Sequence, residues 1–133
     1  MEIDRDGLEV LDRAECRRLL ATAAVGRVAG TSGALPVVLP LRYELDGDSI
    51  VFETGLGSTL DFVTSGSVVA FEVDNLHERG HASWTVMVTG VAERIDDHAV
   101  RLSPELISGR RTHRTHRHAR SRAAATRPPE RVG

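Results

Sequence analysis

The sequence predicts a mainly β protein: a closed antiparallel barrel of six short strands with two short helices. Six runs of strand length, rich in β-branched residues, follow one another from residue 27 onward. Clusters of Gly, Ser and Asp separate several of these runs as turn signals. The chain has 133 residues, which is one domain by length. This number of short strands in one small domain favours a closed barrel over a sandwich.

The first helix is predicted to begin at Asp12, ahead of the strands. Asp12 can cap the free N–H groups of the first turn, and Glu15 three residues later completes a capping-box pattern. We expect the helix to end near Val25-Gly26, because glycine suits a C-terminal position. Residues 1–11 are expected to be a short leader. An apolar stripe at helical spacing should face the core: Cys16, Leu19, Leu20 and Ala23.

The strands are predicted at residues 27–31, 36–43, 50–54, 68–74, 83–95 and 98–102, and the last either ends at 102 or continues to 107 with a kink at Pro104. Tight turns are expected at 31–33 and 46–48. Pro36 and Pro40 place the second strand at an edge or a bulge, because proline cannot donate to a ladder. Residues 57–65 predict the second helix, with Ser58 as its cap and Leu60 and Val63 facing inward.

The charge of the chain is divided unevenly along its length. All 17 basic residues are arginine. Residues 1–109 hold 9 arginines and 18 acidic residues, whereas residues 110–133 hold 8 arginines and one acidic residue, Glu130. The second segment has little apolar content, so we expect a disordered tail rich in Arg and His beyond a folded domain of residues 12–109. An acidic domain should not bind nucleic acid, so we expect at most a weak contact with nucleic acid through the basic tail.

Cysteine and histidine usage adds little chemistry. Cys16 is the only cysteine, so it cannot form an internal disulfide, and we expect a buried thiol and a cytoplasmic protein. The start of the chain does not read as a signal peptide, and no apolar run could span a membrane. His77 and His81 in a predicted loop lack an evident third ligand. The tail histidines could take a metal only where nothing better competes, so no metal site is assigned.

Six motifs in a fixed order carry a resemblance to a known family. They are ECRRLL, VGRVA, PVVLPLRYELDG, IVFETGLGSTLD, VAFEVD and WTVMVTGVAERI, and they cover roughly residues 8–109. This series resembles the pyridoxamine 5'-phosphate oxidase-like family, and in particular its small actinobacterial-type members. The resemblance implies a six-stranded antiparallel split β-barrel of the FMN-binding-protein-like type. It also implies a homodimer with FMN, or in some branches a deazaflavin coenzyme, in a groove at the subunit interface.

The resemblance also assigns the site residues. Flavin-ring contacts fall on the strand of Pro40, Leu41 and Arg42, and Trp84 matches an aromatic near the groove. Phosphate contacts fall on the segment of Glu53, Thr54, Gly57, Ser58 and Thr59. Hydroxyls and free N–H groups at a helix start suit a phosphate. The same residues have plainer readings: an ordinary helix cap at Ser58 and Thr59, a solvated Arg42, and a core or interface Trp84.

The chain departs from the family pattern in two places. The family usually supplies Arg or Lys in the phosphate segment, where this chain has Glu53, Thr59 and Leu60. Relatives also carry about twenty residues that cover the cofactor, where this chain has the short link of residues 95–98. Two functions follow: a flavin- or deazaflavin-dependent oxidoreductase, or a dimeric binding or regulatory module without tight cofactor binding. No catalytic residue is assigned, because the cofactor carries the hydride chemistry.

Overall fold

The computed structural model describes residues 1–76 and 82–112 as eight strands and two helices. His77, His81 and the tail from residue 113 onward lie outside the described residues. Among the described helices, none is long and apolar enough to cross a membrane. In chain order the elements are β1 (Glu2–Ile3), β2 (Glu9–Leu11), α1 (Arg13–Thr22), β3 (Val25–Ser32), β4 (Leu35–Asp46), β5 (Ser49–Glu53), α2 (Thr59–Thr64), β6 (Ser67–Asn75), β7 (Trp84–Arg94) and β8 (Ala99–Arg111).

The six predicted strands are β3 to β8, and they close into a barrel. Every pairing is antiparallel, and the order around the barrel is β8-β5-β4-β3-β6-β7, with β7 pairing back onto β8. Closure is possible because β8 is long enough to use both of its edges. One edge pairs with β7 over most of its length, while the other pairs with β5 from Ala99 to Leu102 and with β2 from Gly109 to Arg111. The predicted antiparallel barrel is confirmed.

The prolines lie where the sequence placed them. Residues 35–42 of β4 pair only with β3 among the described strands, so Pro36 and Pro40 belong to an edge. The predicted kink at Pro104 is a shift in register between β7 and β8 next to Gly90. The two predicted tight turns are present, with Gly33 and Gly47 in the left-handed conformation at φ values of 63° and 61°.

The core consists of aliphatic and aromatic side chains on the inner face of the barrel. Phe52 and Phe71 are almost fully buried, and the ring of Tyr43 packs edge-on against Phe71 with centroids 4.9 Å apart. On α2, Val63 is buried and Leu60 is partly buried, as the spacing predicts. The apolar stripe of α1 covers the core through Cys16, Leu19 and Leu20, with Ala23 partly buried beside them.

The helix α1 ends earlier than the sequence indicated. Its cap at Asp12 is confirmed, because the carboxylate accepts the Glu15 N–H at 2.8 Å. Its last residue is Thr22, however, and Val25 and Gly26 already belong to β3. Gly26 is required there by packing and not by a helix end: a Cβ would lie 2.4 Å from the ring of Phe71.

Residues 1–11 are part of the sheet and not a separate leader. They form the β1–β2 hairpin, in which Leu11 is buried and β2 pairs with the end of β8. Ion pairs reinforce this attachment: Arg110 contacts Asp4 at 2.8 Å, and Arg111 contacts Glu9 at 3.4 Å. Arg110 and Arg111 therefore continue the folded domain, which extends past the expected boundary at residue 109.

The ion pairs of Glu15 are expected to stabilise the fold at neutral pH and to be lost in acid. Hydrogen bonds from Arg18, at 2.6 Å, and from Arg111 lower the pKa of Glu15 from 4.5 to about 2. Because the folded state lowers this pKa, the charged carboxylate stabilises the fold above about pH 4.5. That stabilisation is lost as the pH falls towards about 2.

The variant Glu15→Gln should therefore be less stable than the wild type at neutral pH and equal to it near pH 2. Urea denaturation across this range measures the difference, and Glu105→Gln, an exposed residue of β8, is the control. A difference that does not change with pH would contradict the role given to the ion pairs.

Candidate functional site

The two predicted segments of the site meet where β4 and β5 separate. Tyr43 and Phe52 are the last paired residues of these strands. Arg42 directly precedes that pair and Glu53 directly follows it, so the two residues lie at the same end of the paired region. Both side chains are exposed. The strand predicted to contact the flavin ring therefore meets the segment predicted to contact the phosphate at this point.

Neighbouring residues divide between the core and the surface. Leu41 and Thr54 are buried, with 8% and 6% of their surfaces exposed, while Pro40 is exposed. Leu41 and Thr54 therefore shape the wall of the barrel below the site. Pro40 lies on the outer face, at the edge of β4.

The free edge of β4 offers backbone groups to a ligand. The Tyr43 N–H donates to the carbonyl of Ala24, the residue before β3, at 3.1 Å. Since alternate residues of an antiparallel strand direct their backbone groups to opposite sides, positions 36, 38, 40 and 42 point away from β3. Two of these positions are Pro36 and Pro40, which have no N–H, so Val38 and Arg42 supply the amide donors there. The edge is mainly one of carbonyl acceptors, with few donors.

The phosphate segment forms a compact turn ahead of α2. Ser58 caps this helix, since its hydroxyl accepts the Asp61 N–H at 3.1 Å. The same hydroxyl donates to the Gly55 carbonyl at 2.9 Å and lies 2.8 Å from the Thr54 hydroxyl. Gly57 adopts the left-handed conformation with a φ of 78°, which glycine allows. Two of the hydroxyls expected to meet a phosphate, those of Thr54 and Ser58, are therefore bonded within the chain.

Asp61 and Arg94 are part of this segment, although sequence reasoning missed both. The Asp61 carboxylate accepts the Gly57 N–H at 2.8 Å and pairs with Arg94 at 2.6 Å. Arg94 also donates to the carbonyls of Thr54 and Asp96, at 3.1 and 2.8 Å. Each side chain of the pair is less than one-fifth exposed. The segment thus has a cation, which the chain supplies from the end of β7.

The electrostatics of this pair keep Asp61 ionised. The Gly57 N–H and, after it, the Arg94 guanidinium lower the pKa of Asp61 below its ordinary value. The carboxylate is consequently a permanent negative charge at neutral pH. One signal in the sequence could have pointed to it: Gly57 and Asp61 lie four residues apart across a helix start, where an acidic side chain can reach back to a free N–H.

Trp84 lies away from the other predicted site residues. It begins β7, which follows β3 and β6 in order from β4, and it packs against the core cluster. Its partners across the sheet are Asn75 and Arg111. Within one chain the structure does not bring Trp84 together with Arg42 or Ser58.

The outer face of the sheet carries a row of mainly apolar side chains that are exposed at the two ends of the row and half-buried between them. Pairing places Val38, Ala29, Ala70, Thr89 and Leu106 side by side across five strands. Val38 and Leu106 are 64% and 69% exposed. Monomers rarely expose a continuous apolar surface of this kind without a use for it. We call this row, together with the exposed side chains of Val68 and Met87 beside it, the outer apolar face.

The charges next to the outer apolar face are paired with one another. Arg27 on β3 contacts Glu72 and Asp74 on β6, each at 2.9 Å. Burial and the neighbouring Asp74 raise the pKa of Glu72. Because the guanidinium already has carboxylate partners, covering this part of the face would not leave an isolated cation.

These features define the class of protein as a six-stranded antiparallel split β-barrel. A family model described as pyridoxamine 5'-phosphate oxidase matches residues 12–130, and the chain belongs to this family. The Mycobacterium tuberculosis protein Rv0080, described as uncharacterized, is 36% identical over 92 residues. That match covers 65% of this chain and 60% of Rv0080, so the chain spans less than two thirds of the length of this relative.

Solved structures share the fold. The chain superposes on an FAD binding protein from Mycobacterium smegmatis with a TM-score of 0.73 and 30% identity, covering 80% of this chain and 99% of that chain. A FAD-binding protein from Mesorhizobium loti gives a TM-score of 0.70 with 21% identity, covering 80% and 99%. A putative pyridoxamine 5'-phosphate oxidase from Corynebacterium glutamicum gives 0.66 with 21% identity, covering 79% and 98%. At these two lower identities the likeness is one of fold.

Proposed function

We propose that this chain binds a flavin coenzyme (FMN, FAD or a deazaflavin) and works as an oxidoreductase in the cytoplasm. The observation that carries the proposal is the meeting of the two predicted segments at Arg42 and Glu53, within a barrel of this family. The relative from M. smegmatis that is described as FAD-binding supports it, because almost its whole length is matched. The lone buried Cys16 is consistent with a reducing compartment.

The residues present fit the ring of a flavin better than its phosphate. The carbonyls along the free edge of β4, and the amides of Val38 and Arg42, can bond the polar rim of the ring. A bound flavin would supply the hydride chemistry. The protein's part is to orient the ring on this edge and to exclude water with apolar neighbours. The Thr54 and Ser58 hydroxyls and the Gly57 N–H of the phosphate segment are bonded within the chain, so that half of the site does not fit a terminal phosphate as it stands.

The proposed working unit is a homodimer formed through the outer apolar face. Leu106 and Val38 lie at the two sides of this face, and the guanidinium of Arg27 next to it is already paired with Glu72. The candidate site is shallow in one chain, because Arg42, Glu53 and the turn before α2 are all exposed. A second copy would supply the missing wall of a groove, and Trp84 would then reach the coenzyme only from that copy.

The visible absorption spectrum of the purified full-length protein tests the proposal. Protein titrated with FMN, FAD or riboflavin should perturb the flavin band and quench flavin fluorescence, with saturation at one flavin per chain. Arg42→Glu should weaken binding by about tenfold, because it removes a cation and adds repulsion at the edge. Arg101→Glu, a substitution on β8, is the charge-matched control. If none of these flavins binds at micromolar concentration, the proposal is wrong.

A specific observation favours a second function, a split-barrel module that has lost tight cofactor binding. The turn from β7 to β8 spans only Ile95 to His98, and Ile95 and Ala99 are hydrogen-bonded across it at 2.9 Å. Nothing in this turn is long enough to cover a bound ring. An absence of flavin binding combined with an intact dimer would support this module.

A further inference from the structure

The Asp61 carboxylate is held as an anionic ligand would be held. It accepts the Gly57 N–H with one oxygen, and the Arg94 guanidinium contacts the other oxygen through Nε at 3.1 Å and through Nη2 at 2.6 Å. An amide N–H at a glycine turn beside an arginine is a common way to bind a carboxylate or a phosphate. In this chain the anion in that position is part of the protein.

Arg94 has little capacity left for another anion. A guanidinium has five N–H donors. Four hydrogen bonds already engage this guanidinium: two to Asp61, one to the Thr54 carbonyl and one to the Asp96 carbonyl. A phosphate arriving here would have to displace Asp61 and leave its carboxylate beside the incoming negative charge.

We propose that Asp61 is an internal counter-anion that makes this chain select against flavins with a terminal phosphate dianion. The inference rests on the proposed function. The preferred coenzyme has no phosphate, as in riboflavin, or has two esterified phosphates that each carry a single charge, as in FAD. FMN is disfavoured, because a phosphate monoester carries nearly two charges at neutral pH.

The charge balance of the segment supports this selection. Glu53 and Asp61 contribute two negative charges, Arg42 and Arg94 contribute two positive charges, and Arg94 is already paired with Asp61, so the site has no net positive charge for a phosphate. Repulsion rises with the charge of the ligand and is screened least where groups are partly buried, as the Asp61–Arg94 pair is. Each further charge on the ligand therefore adds to the repulsion from Asp61.

The experiment compares FMN with riboflavin in the full-length wild type, in Asp61→Asn and in Glu93→Gln. Asparagine keeps the shape of the side chain and can still accept the Gly57 N–H, but it leaves Arg94 without a counter-charge. Glu93 is the matched control, since it is exposed on β7 next to Arg94 in sequence and its loss changes the net charge equally. The quantity measured is the ratio of the two dissociation constants within each protein, so that a partial loss of stability cancels.

The wild type and Glu93→Gln should bind FMN no more tightly than riboflavin. Asp61→Asn should prefer FMN by about tenfold or more, and high salt should reduce this preference. Asp61→Ser removes the same charge and serves if the asparagine variant does not fold. A wild type that already prefers FMN by tenfold, or an unchanged ratio in a folded Asp61→Asn protein, would overturn the inference.

A second measurement separates this inference from the proposed function. Inorganic phosphate should raise the melting temperature of Asp61→Asn relative to chloride at equal ionic strength, and it should not do so for the wild type. If no flavin binds but this difference is present, the proposed function fails and the internal counter-anion stands. If flavins bind but phosphate stabilises neither protein, the inference fails and the proposed function stands.

Discussion

Replacement of Leu106 by arginine is expected to turn the proposed dimer into a monomer. Leu106 is 69% exposed on the outer apolar face, beside Thr89 of β7. In a twofold dimer each substitution occurs twice, so two unpaired guanidinium groups would have to enter an apolar interface. We expect the dissociation constant of the dimer to rise by about a hundredfold or more.

Analytical ultracentrifugation of the full-length protein measures this change over a range of concentrations. The control is Ile3→Arg, which introduces the same charge at another exposed apolar residue, on β1 and away from the outer apolar face. The control should leave dissociation unchanged. If Leu106→Arg sediments like the wild type, the outer apolar face is not the subunit interface, and the groove must be formed elsewhere.

Gly90→Ala is expected to destabilise the barrel more than a Gly→Ala substitution at any other glycine that the structure describes. A Cβ on Gly90 would lie 2.0 Å from the Ser103 carbonyl oxygen and 3.2 Å from the Glu105 nitrogen. Both atoms belong to the backbone of β8 at the shift in register, so no side chain can move aside. We expect the free energy of unfolding to fall by about 3 kcal/mol or more.

Urea denaturation of Gly90→Ala beside Gly55→Ala checks this expectation. A Cβ on Gly55 meets no atom within 4 Å, and the φ of Gly55 lies outside the left-handed region. That control should change the free energy of unfolding by less than about 0.5 kcal/mol. Equal stability of the two variants would mean that β8 can retreat from β7 without loss, and that the shift in register is not a fixed feature of the barrel.

Local sequence patterns predicted the strands well because those patterns are themselves local. Alternating burial with β-branched residues marks β6, where Val69, Phe71 and Val73 point inward, as it marks the other strands. Glycine turns and capping side chains are equally short-range, so the caps at Asp12 and Ser58 were predicted correctly. The order of the six motifs indicated the pyridoxamine 5'-phosphate oxidase-like family, and the family match confirms this prediction.

Long-range pairing was beyond these patterns. Residues 1–11 have no strand pattern of their own, and they join the sheet because the end of β8 offers them an unpaired edge and two arginines. Likewise, Gly26 resembles a helix end in the sequence, but its place is decided by the ring of Phe71 on β6. Such contacts involve residues far apart in the chain, and their geometry exists only once the barrel has closed.

The sequence by itself determined the fold class and the strand boundaries to within a few residues. Those features depend on the burial alternation and turn preferences of neighbouring residues. Only the tertiary structure decided how the site is charged. Arg94 reaches Asp61 across 33 positions because β7 ends beside the turn before α2. The phosphate segment thus receives a cation, Arg94, from β7, and the Asp61 carboxylate of α2 neutralises it.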